Sequence, residues 1–264
     1  MVLDQGEINS RRKHFVLVHG VCAGGWCWFK LVALLRSEGH RVTAIDMAAS
    51  GSRRESISDV RNFRDYSKPL MDLLESDLHE GETVILVGHS LGGLNLPFAM
   101  ESFPEKISAA VFVTGLMPDC SAPPSSVLNQ LFATTPPDLF LDTRFTREDN
   151  KTVMILGPKC LRLLVGQNCY AEDTTLNEML VRPGSLFLED LSASPKLSEE
   201  KYGSVRRVFI VCKDDKLLTE EFQRWMIQKN PPEEVMEIEG SDHMPMLCKP
   251  KKLLHHLLKI AGSG

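Results

Sequence analysis

The chain has 264 residues, a length that a single α/β domain routinely reaches, and its 43% hydrophobic and 25% charged residues are ordinary for a globular protein. A formal net charge of -5, with no basic stripe, argues against a nucleic-acid partner, which needs cations opposite its phosphates. No apolar run approaches the roughly 18 residues that a membrane span requires, so no membrane partner is expected.

The first 13 residues are predicted to form a polar N-terminal tail, because the apolar run that follows, Phe15 to Val18, is too short for a signal peptide. The seven cysteines include no CxxC pair and no histidine-coupled metal spacing. We therefore expect reduced, mostly structural thiols, a cytoplasmic location, and neither a metal site nor a cofactor.

Short β-branched and apolar runs alternate with segments whose apolar residues have helical spacing. This alternation predicts an α/β fold with a mostly parallel, six-stranded sheet that helices cover on both faces. In chain order the predicted elements are strand Phe15–Val18, helix Trp28–Leu35, strand Arg41–Ile45, helix Tyr66–Leu74, strand Thr83–Val87, helix Leu94–Phe103, strand Ala109–Thr114, strand Val205–Val211, helix Glu220–Ile227, strand Glu234–Ile238 and helix Lys252–Ile260.

The alternation breaks once, between the fourth and fifth predicted strands. Residues 117–202 are rich in proline and leucine and show no strand–helix alternation. A segment of that length is too long for a bare loop, so we expect it to form a cap subdomain. The α/β core would then comprise residues 14–116 and 203–264.

The segment Gly88-His89-Ser90-Leu91-Gly92 matches the G-x-S-x-G pattern. An isolated match is often a plain Gly/Ser turn, but this one follows a predicted strand and precedes a predicted helix. That context is typical of a nucleophile elbow, in which a sharp turn exposes the serine hydroxyl above the carboxyl edge of the sheet. Ser90 is therefore the predicted nucleophile of an α/β-hydrolase fold.

A serine hydroxyl is a weak nucleophile at neutral pH, so a neighbouring imidazole must take its proton during attack. His243 follows the last predicted strand, and it completes the chain order serine, acid, histidine that this fold uses. His243 is therefore the predicted base. His14 and the pair His255-His256 are interpreted as surface residues.

The base needs an acid that fixes its tautomer, and in this fold the acid usually follows a later strand. Asp215 lies in the loop that follows the fifth predicted strand and is our preferred candidate, with its neighbour Asp214 as an alternative. Asp119, after the preceding strand, is a weaker candidate. Asp242 is interpreted as a turn-forming residue.

Negative charge that develops on a tetrahedral intermediate needs fixed donors. The elbow predicts one donor, the backbone N–H of Leu91, and the glycine-rich loop after the first strand predicts a second, the N–H of Val21. That loop, residues 19–25, is not a dinucleotide fingerprint, because its glycine spacing differs and no acidic residue follows at the right distance.

Five motifs follow one another along the chain: His14-Phe15-Val16-Leu17-Val18-His19-Gly20, Trp26-Cys27-Trp28, Gly88-His89-Ser90-Leu91-Gly92-Gly93, Arg182-Pro183-Gly184-Ser185-Leu186-Phe187 and Asp242-His243-Met244. Together they resemble the plant methylesterase family, which includes salicylate-binding esterases and an alkaloid-ester esterase and has the hydroxynitrile lyases as close relatives. The similarity runs from His14 to Ala261 with the motifs in order and at family spacing.

The resemblance implies a serine carboxylesterase that hydrolyses methyl esters of small apolar or aromatic acids, such as methyl salicylate, methyl jasmonate or methyl indole-acetate. It also supports Asp215 over Asp214 and the two oxyanion donors. On the family's pattern, Gly20, His89, Met244 and cap residues line the acyl pocket.

Two positions depart from the family's pattern. Phe140 stands where salicylate-preferring relatives carry a cap tryptophan, and Phe29 replaces the tyrosine that usually follows Trp28. The preferred acid therefore stays open.

Two other functions compete with the esterase. Cyanohydrin-cleaving relatives carry a threonine at the position of Gly20 and a lysine at the position of Met244. Without that lysine cation, a departing cyanide anion has no obvious partner, which ranks the lyase below the esterase. The third hypothesis is a small-molecule receptor that keeps the fold and turns substrate over slowly. A homodimer is possible.

Overall fold

The computed structural model describes residues 12–148 and 151–263, so residues 1–11 of the predicted tail lie outside the described part of the chain. Its strands are β1 (His14–Val18), β2 (Arg41–Ile45), β3 (Val84–His89), β4 (Ile107–Val113), β5 (Arg144–Glu148), β6 (Lys151–Ile155), β7 (Gly184–Ser185), β8 (Arg207–Cys212) and β9 (Glu234–Ile238). Six of them form a parallel sheet in the order β2-β1-β3-β4-β8-β9. The predicted fold class, an α/β-hydrolase fold with a six-stranded parallel sheet, is confirmed.

The α-helices are α1 (Phe29–Ser37), α2 (Phe63–Ser76), α3 (Gly92–Ser102), α4 (Ser126–Thr134), α5 (Pro158–Cys160), α6 (Ala171–Leu180), α7 (Leu188–Ala193), α8 (Glu220–Lys229), α9 (Pro245–Cys248) and α10 (Pro250–Gly262). Each of the five predicted helices corresponds to one of these. The largest difference is at α2, which begins before Tyr66 because the Asn62 side chain accepts a hydrogen bond from the Asp65 amide and caps the helix at that point.

Successive residues of a strand pack into two different hydrophobic clusters. In β1, Phe15 and Leu17 belong to one hydrophobic cluster, whereas Val16 and Val18 belong to the other. Because side chains alternate along a strand, the two clusters lie on opposite faces of the sheet. This explains why β1 is apolar at every position from Phe15 to Val18.

The segment 117–202 contains α4 to α7 and a three-stranded sheet in the order β5-β6-β7, in which both pairings are antiparallel. These three strands were not predicted from the sequence. β5 is largely exposed and polar, and β7 has only two residues, so neither carries an apolar period. The boundary between core and cap stays a prediction, since apolar residues of both parts share one cluster.

The interpretation of His14 as a surface residue is wrong. Its side chain is buried, with Nδ1 2.9 Å from Glu82 Oε1 and Nε2 2.9 Å from Thr43 Oγ1. A histidine at the start of an apolar strand gives no sign of these distant polar partners.

Within the described ranges, no helix is both long enough and apolar enough to cross a membrane.

Candidate active site

Ser90 lies at the sharp turn between β3 and α3, at the carboxyl edge of the sheet. Its φ is +53°, a left-handed conformation that non-glycine residues rarely adopt. A Cβ at Gly88 would lie 2.8 Å from the Gly92 carbonyl oxygen, and a Cβ at Gly92 would lie 2.6 Å from the His19 carbonyl oxygen. The two glycines are therefore needed for the close backbone approaches of the elbow.

Asp215 and His243 form a buried pair. Asp215 Oδ2 lies 2.7 Å from His243 Nδ1 and also accepts a hydrogen bond from the Thr114 hydroxyl at 2.6 Å. Its other oxygen accepts from the amides of Leu217 and Leu218 at 2.8 and 2.9 Å. Because an ionised carboxylate only accepts hydrogen bonds, His243 carries its proton on Nδ1, and Nε2 keeps the lone pair that a general base needs.

The alternative acids have other partners. Asp214 is exposed, and its carboxylate lies 3.5 Å from Asn168 Nδ2. Asp119 accepts hydrogen bonds from Ser121 and from the following amide. Asp242 accepts from its near neighbour, the Met244 amide, as a turn former does, but it also accepts from the distant Asn168 amide. Of the proposed acids, only Asp215 is paired with His243.

His89 connects the serine turn to the histidine loop. Its ring centroid is 4.6 Å from that of His243, and its Nε2 lies 2.6 Å from the His243 carbonyl oxygen. A Cβ at Gly20 would lie 3.1 Å from His89 Nδ1 and 3.3 Å from Ser90 Oγ. Ser90, Gly20, His89 and His243 therefore gather in one region. The described hydrogen bonds do not include one between Ser90 and His243, so that pairing stays a prediction; such contacts often tighten only with substrate bound.

The protonation state of His89 follows from its contacts. Burial, followed by the nearby His243, holds its pKa well below the usual range, so the ring is neutral. Its Nε2–H must donate to the His243 carbonyl, which leaves Nδ1 as an acceptor. Nδ1 has no hydrogen-bond partner among the described residues. A buried acceptor beside Ser90 and Gly20 suits a hydroxyl or water in the site.

The two predicted oxyanion donors belong to the loop after β1 and to the Ser90 turn. In the described part of the chain, neither the Val21 nor the Leu91 amide donates to a protein acceptor. His19 holds the first of these loops, because its Nδ1–H donates to the Gly20 carbonyl at 2.7 Å and its Nε2 accepts from the Met47 amide at 3.1 Å. Fixing the Gly20 carbonyl directs the Val21 N–H the opposite way, since both belong to one planar peptide group.

The two predicted pocket residues Met244 and Phe140 lie in different surroundings. Met244 is buried beside His243, at the start of α9. Phe140 makes its ring contacts with Phe132 and Phe145. Those two partners border a cavity of about 250 Å³ whose lining is Phe132, Phe145, Thr152, Met154, Leu186, Phe187, Leu188 and Glu189.

One residue of this lining, Met154, contacts the loop after β1, and the cavity is called the Met154 cavity below. The carbonyl of Met154 accepts a hydrogen bond from the thiol of Cys22, the residue after Val21. Sequence reasoning missed Met154, and it also missed the Thr114 hydroxyl on Asp215. Thr114 had a usable signal, because it ends a predicted strand at the same edge as the catalytic candidates; Met154 had none, because β6 was not recognised.

The stability of the protein is expected to fall as the pH drops below about 6.5. Burial lowers the pKa of His19 and of His89 in the folded state, so below the unfolded value of 6.5 the unfolded chain binds protons first. The free energy of unfolding should decrease by roughly 1–3 kcal/mol between pH 7 and pH 5.5, a window above the carboxylate titrations. Urea unfolding at a series of pH values measures this.

His89→Gln should weaken this dependence and leave the part that comes from His19, because glutamine does not titrate but can still donate to the His243 carbonyl. His79→Gln is the matched control, since His79 is exposed. A dependence on pH that is the same in His89→Gln as in the wild type would contradict the assignment of His89 as a buried neutral ring.

Comparisons with known proteins show the family to which the chain belongs. Residues 15–253 match the alpha/beta hydrolase family. The chain is 52% identical to salicylic acid-binding protein 2 of Nicotiana tabacum, over 94% of this chain and 97% of that protein. It is also 52% identical to methylesterase 1 of Arabidopsis thaliana, over 96% and 97% of the two chains.

A solved structure extends the similarity to three dimensions. The crystal structure of polyneuridine aldehyde esterase superposes with a TM-score of 0.93 at 44% identity, covering 95% of this chain and 99% of that chain. The Rauvolfia serpentina sequence of that name is likewise 44% identical, over 96% of this chain and 97% of its own length. The chain therefore belongs to the α/β hydrolase family, within its plant methylesterase branch, and is a carboxylic ester hydrolase.

Proposed function

We propose that the chain hydrolyses methyl esters of small apolar or aromatic carboxylic acids through an acyl-enzyme on Ser90. The observation that carries this proposal is the buried pair of Asp215 and His243, which the Thr114 hydroxyl and two amides hold in place on the same edge of the sheet as the strained Ser90 turn. A fixed acid–histidine pair beside a serine elbow is the arrangement that acyl transfer needs.

The reaction proceeds in two steps. His243 Nε2 takes the Ser90 proton as Oγ attacks the ester carbonyl, and the amides of Val21 and Leu91 receive the oxyanion. His243 then gives that proton to the leaving methoxide, and methanol departs. In the second step His243 takes a proton from water, the hydroxide attacks the acyl-enzyme, and Ser90 regains its proton as the free acid leaves.

The substrate class is supported by the pocket and by the relatives. The Met154 cavity measures about 250 Å³ and is lined mainly by apolar side chains, which suits an acyl group of roughly one ring system. The relatives named above include a methylesterase and a salicylic acid-binding protein. Phe140 shapes this cavity indirectly, by packing on Phe132 and Phe145, and the acceptor on His89 is available for a hydroxyl of the acyl group or the deacylating water.

The lyase and the receptor remain less favoured. The residue after His243 is Met244, an uncharged buried side chain, so a cyanide anion would find no lysine there. A receptor would not need the three proposed catalytic residues Ser90, His243 and Asp215, so their presence favours the esterase. A receptor that retains them could still turn substrate over slowly. We also propose a cytoplasmic location, because all seven cysteines are free thiols, as in a reducing compartment. A homodimer stays a prediction.

A panel of methyl esters tests the proposal. We expect equimolar methanol and free acid from at least one of methyl salicylate, methyl jasmonate, methyl indole-acetate, methyl benzoate and a monoterpenoid alkaloid methyl ester. The best substrate should reach a kcat/KM on the order of 10⁴ M⁻¹ s⁻¹ or higher. Tight binding of an ester with negligible release of acid would favour the receptor, and release of cyanide from cyanohydrins in place of ester hydrolysis would favour the lyase.

A further inference from the structure

Two thiols and a carboxylate meet beside the loop that carries His243. Cys169 precedes α6, Asp242 immediately precedes His243, and Cys248 ends α9. Their sulfur and oxygen atoms all lie within 4.8 Å of one another. The cluster joins two segments that are more than 70 residues apart in the chain, since Cys169 and Asp242 are separated by 73 positions. It therefore has no spacing motif that sequence analysis could find.

The distances suit a tetrahedral metal ion with little rearrangement. Cys169 Sγ lies 3.4 Å from one oxygen of Asp242 and 3.8 Å from the other. Bonds of about 2.3 Å to sulfur and about 2.1 Å to oxygen place ligand atoms roughly 3.6–3.8 Å apart on a tetrahedral edge. Ser241 Oγ, 3.5 Å from Cys248 Sγ, is close enough to add a fourth donor.

The carboxylate is oriented before any ion binds. Asp242 accepts hydrogen bonds from the Asn168 amide on one oxygen and from the Met244 amide on the other, both at 2.8 Å. Hydrogen bonds of this kind fix ligand geometry and support affinity in metal sites. Asp242 is fully buried, whereas Cys169 and Cys248 are partly exposed, so the cluster opens toward the surface through its two sulfurs.

The cluster already contains a hydrogen bond that a cation would replace. The Cys169 thiol donates to the Asp242 carboxylate across 3.4 Å. A divalent cation would take the place of that thiol proton and would bind the sulfur and the carboxylate directly.

We propose that Cys169, Asp242 and Cys248 form a binding site for one borderline or soft divalent cation such as Zn²⁺, with Ser241 or a solvent molecule as the fourth ligand. Two thiols lose their protons to solvent as two metal–sulfur bonds form, and nothing is oxidised or reduced. The ion would not touch the reacting atoms. It would tie the segment before α6 to the loop that carries His243, which makes the site separate from the proposed ester hydrolysis.

Cadmium and zinc titrations test the site on the full chain. Cd²⁺ should bind at one ion per chain with an ultraviolet thiolate-to-metal charge-transfer band, and saturating Zn²⁺ should raise the melting temperature by on the order of 5 °C. Cys169→Ser and Cys248→Ser should each weaken Cd²⁺ binding at least tenfold and remove the thermal shift. Cys120→Ser is the matched control, because Cys120 is also a partly exposed thiol near a carboxylate, that of Glu199, and its loss should change neither result.

Alkylation of the wild type provides a readout that needs no variant to fold. Zn²⁺ should protect Cys169 and Cys248 from iodoacetamide, as read by peptide mass mapping, while Cys120 continues to react. Equal modification of Cys169 and Cys248 with and without Zn²⁺ would overturn the proposal, as would unchanged Cd²⁺ affinity in both variants. Recovery of the pair as a disulfide that neither reacts nor binds metal would overturn it as well.

Discussion

Ser90→Ala is expected to lower kcat on methyl esters by about 10⁵-fold, because it removes the atom that forms the acyl-enzyme. The remaining rate would come from the oxyanion donors and from substrate positioning alone. Binding of the free acid should change little, since the substitution does not touch the cavity that we propose for the acyl group. Steady-state kinetics and equilibrium binding of the product acid measure the two effects separately.

Ser67→Ala is the matched control for this variant. Ser67 is also a buried serine, but it lies on α2 and donates to the Phe63 carbonyl within that helix. Its loss should leave kcat within about threefold of the wild type. A Ser90→Ala variant that folds, binds the acid and still turns over at the wild-type rate would disprove the covalent mechanism.

Asp215→Asn is expected to lower kcat by about 10⁴-fold, or about 5.5 kcal/mol of transition-state stabilisation. The asparagine oxygen would accept from the amides of Leu217 and Leu218, which leaves its NH₂ group facing His243 Nδ1. Nδ1 would then have to accept, so the ring proton would move to Nε2. A histidine protonated on Nε2 cannot take the proton of Ser90.

Asp214→Asn is the control that the sequence itself provides, because the two aspartates are adjacent. Asp214 is exposed and its side chain has only a weak contact with Asn168, so kcat should stay within about threefold of the wild type. Both variants should unfold cooperatively in urea, which separates loss of catalysis from loss of structure. A larger loss in Asp214→Asn than in Asp215→Asn would reverse the assignment of the acid.

The sequence was sufficient to predict the central sheet and the position of the nucleophile. The central strands β1, β3, β4 and β8 are mostly apolar because each is covered on both faces, and that requirement is visible in any one strand alone. The turn at Ser90 is equally local, because Gly88 and Gly92 lie within two residues of the serine whose conformation they permit. His243 could be predicted as the base because it follows the last predicted strand and completes the chain order serine, acid, histidine.

Other features depended on partners far away in the chain. The adjacent aspartates after β8 look alike in sequence, and only the Thr114 hydroxyl, from another strand, and His243 distinguish the buried Asp215 from the exposed Asp214. The cap sheet could not be predicted because β5 has no apolar period. The strand conformation of β5 depends on its pairing with β6.

By itself, the sequence determined the elements whose residues satisfy one another locally: the apolar strands, the helices and the Ser90 turn. Tertiary structure alone decided which polar side chains meet. It brings Asp215 to His243 and Thr114. It also brings Cys169 to Asp242 and Cys248, and it leaves the Nδ1 acceptor of His89 without a partner among the described residues. The physical reason is that burial follows from each residue's own hydrophobicity, whereas a buried polar group is stabilised only by a specific partner, and that partner can come from any part of the chain.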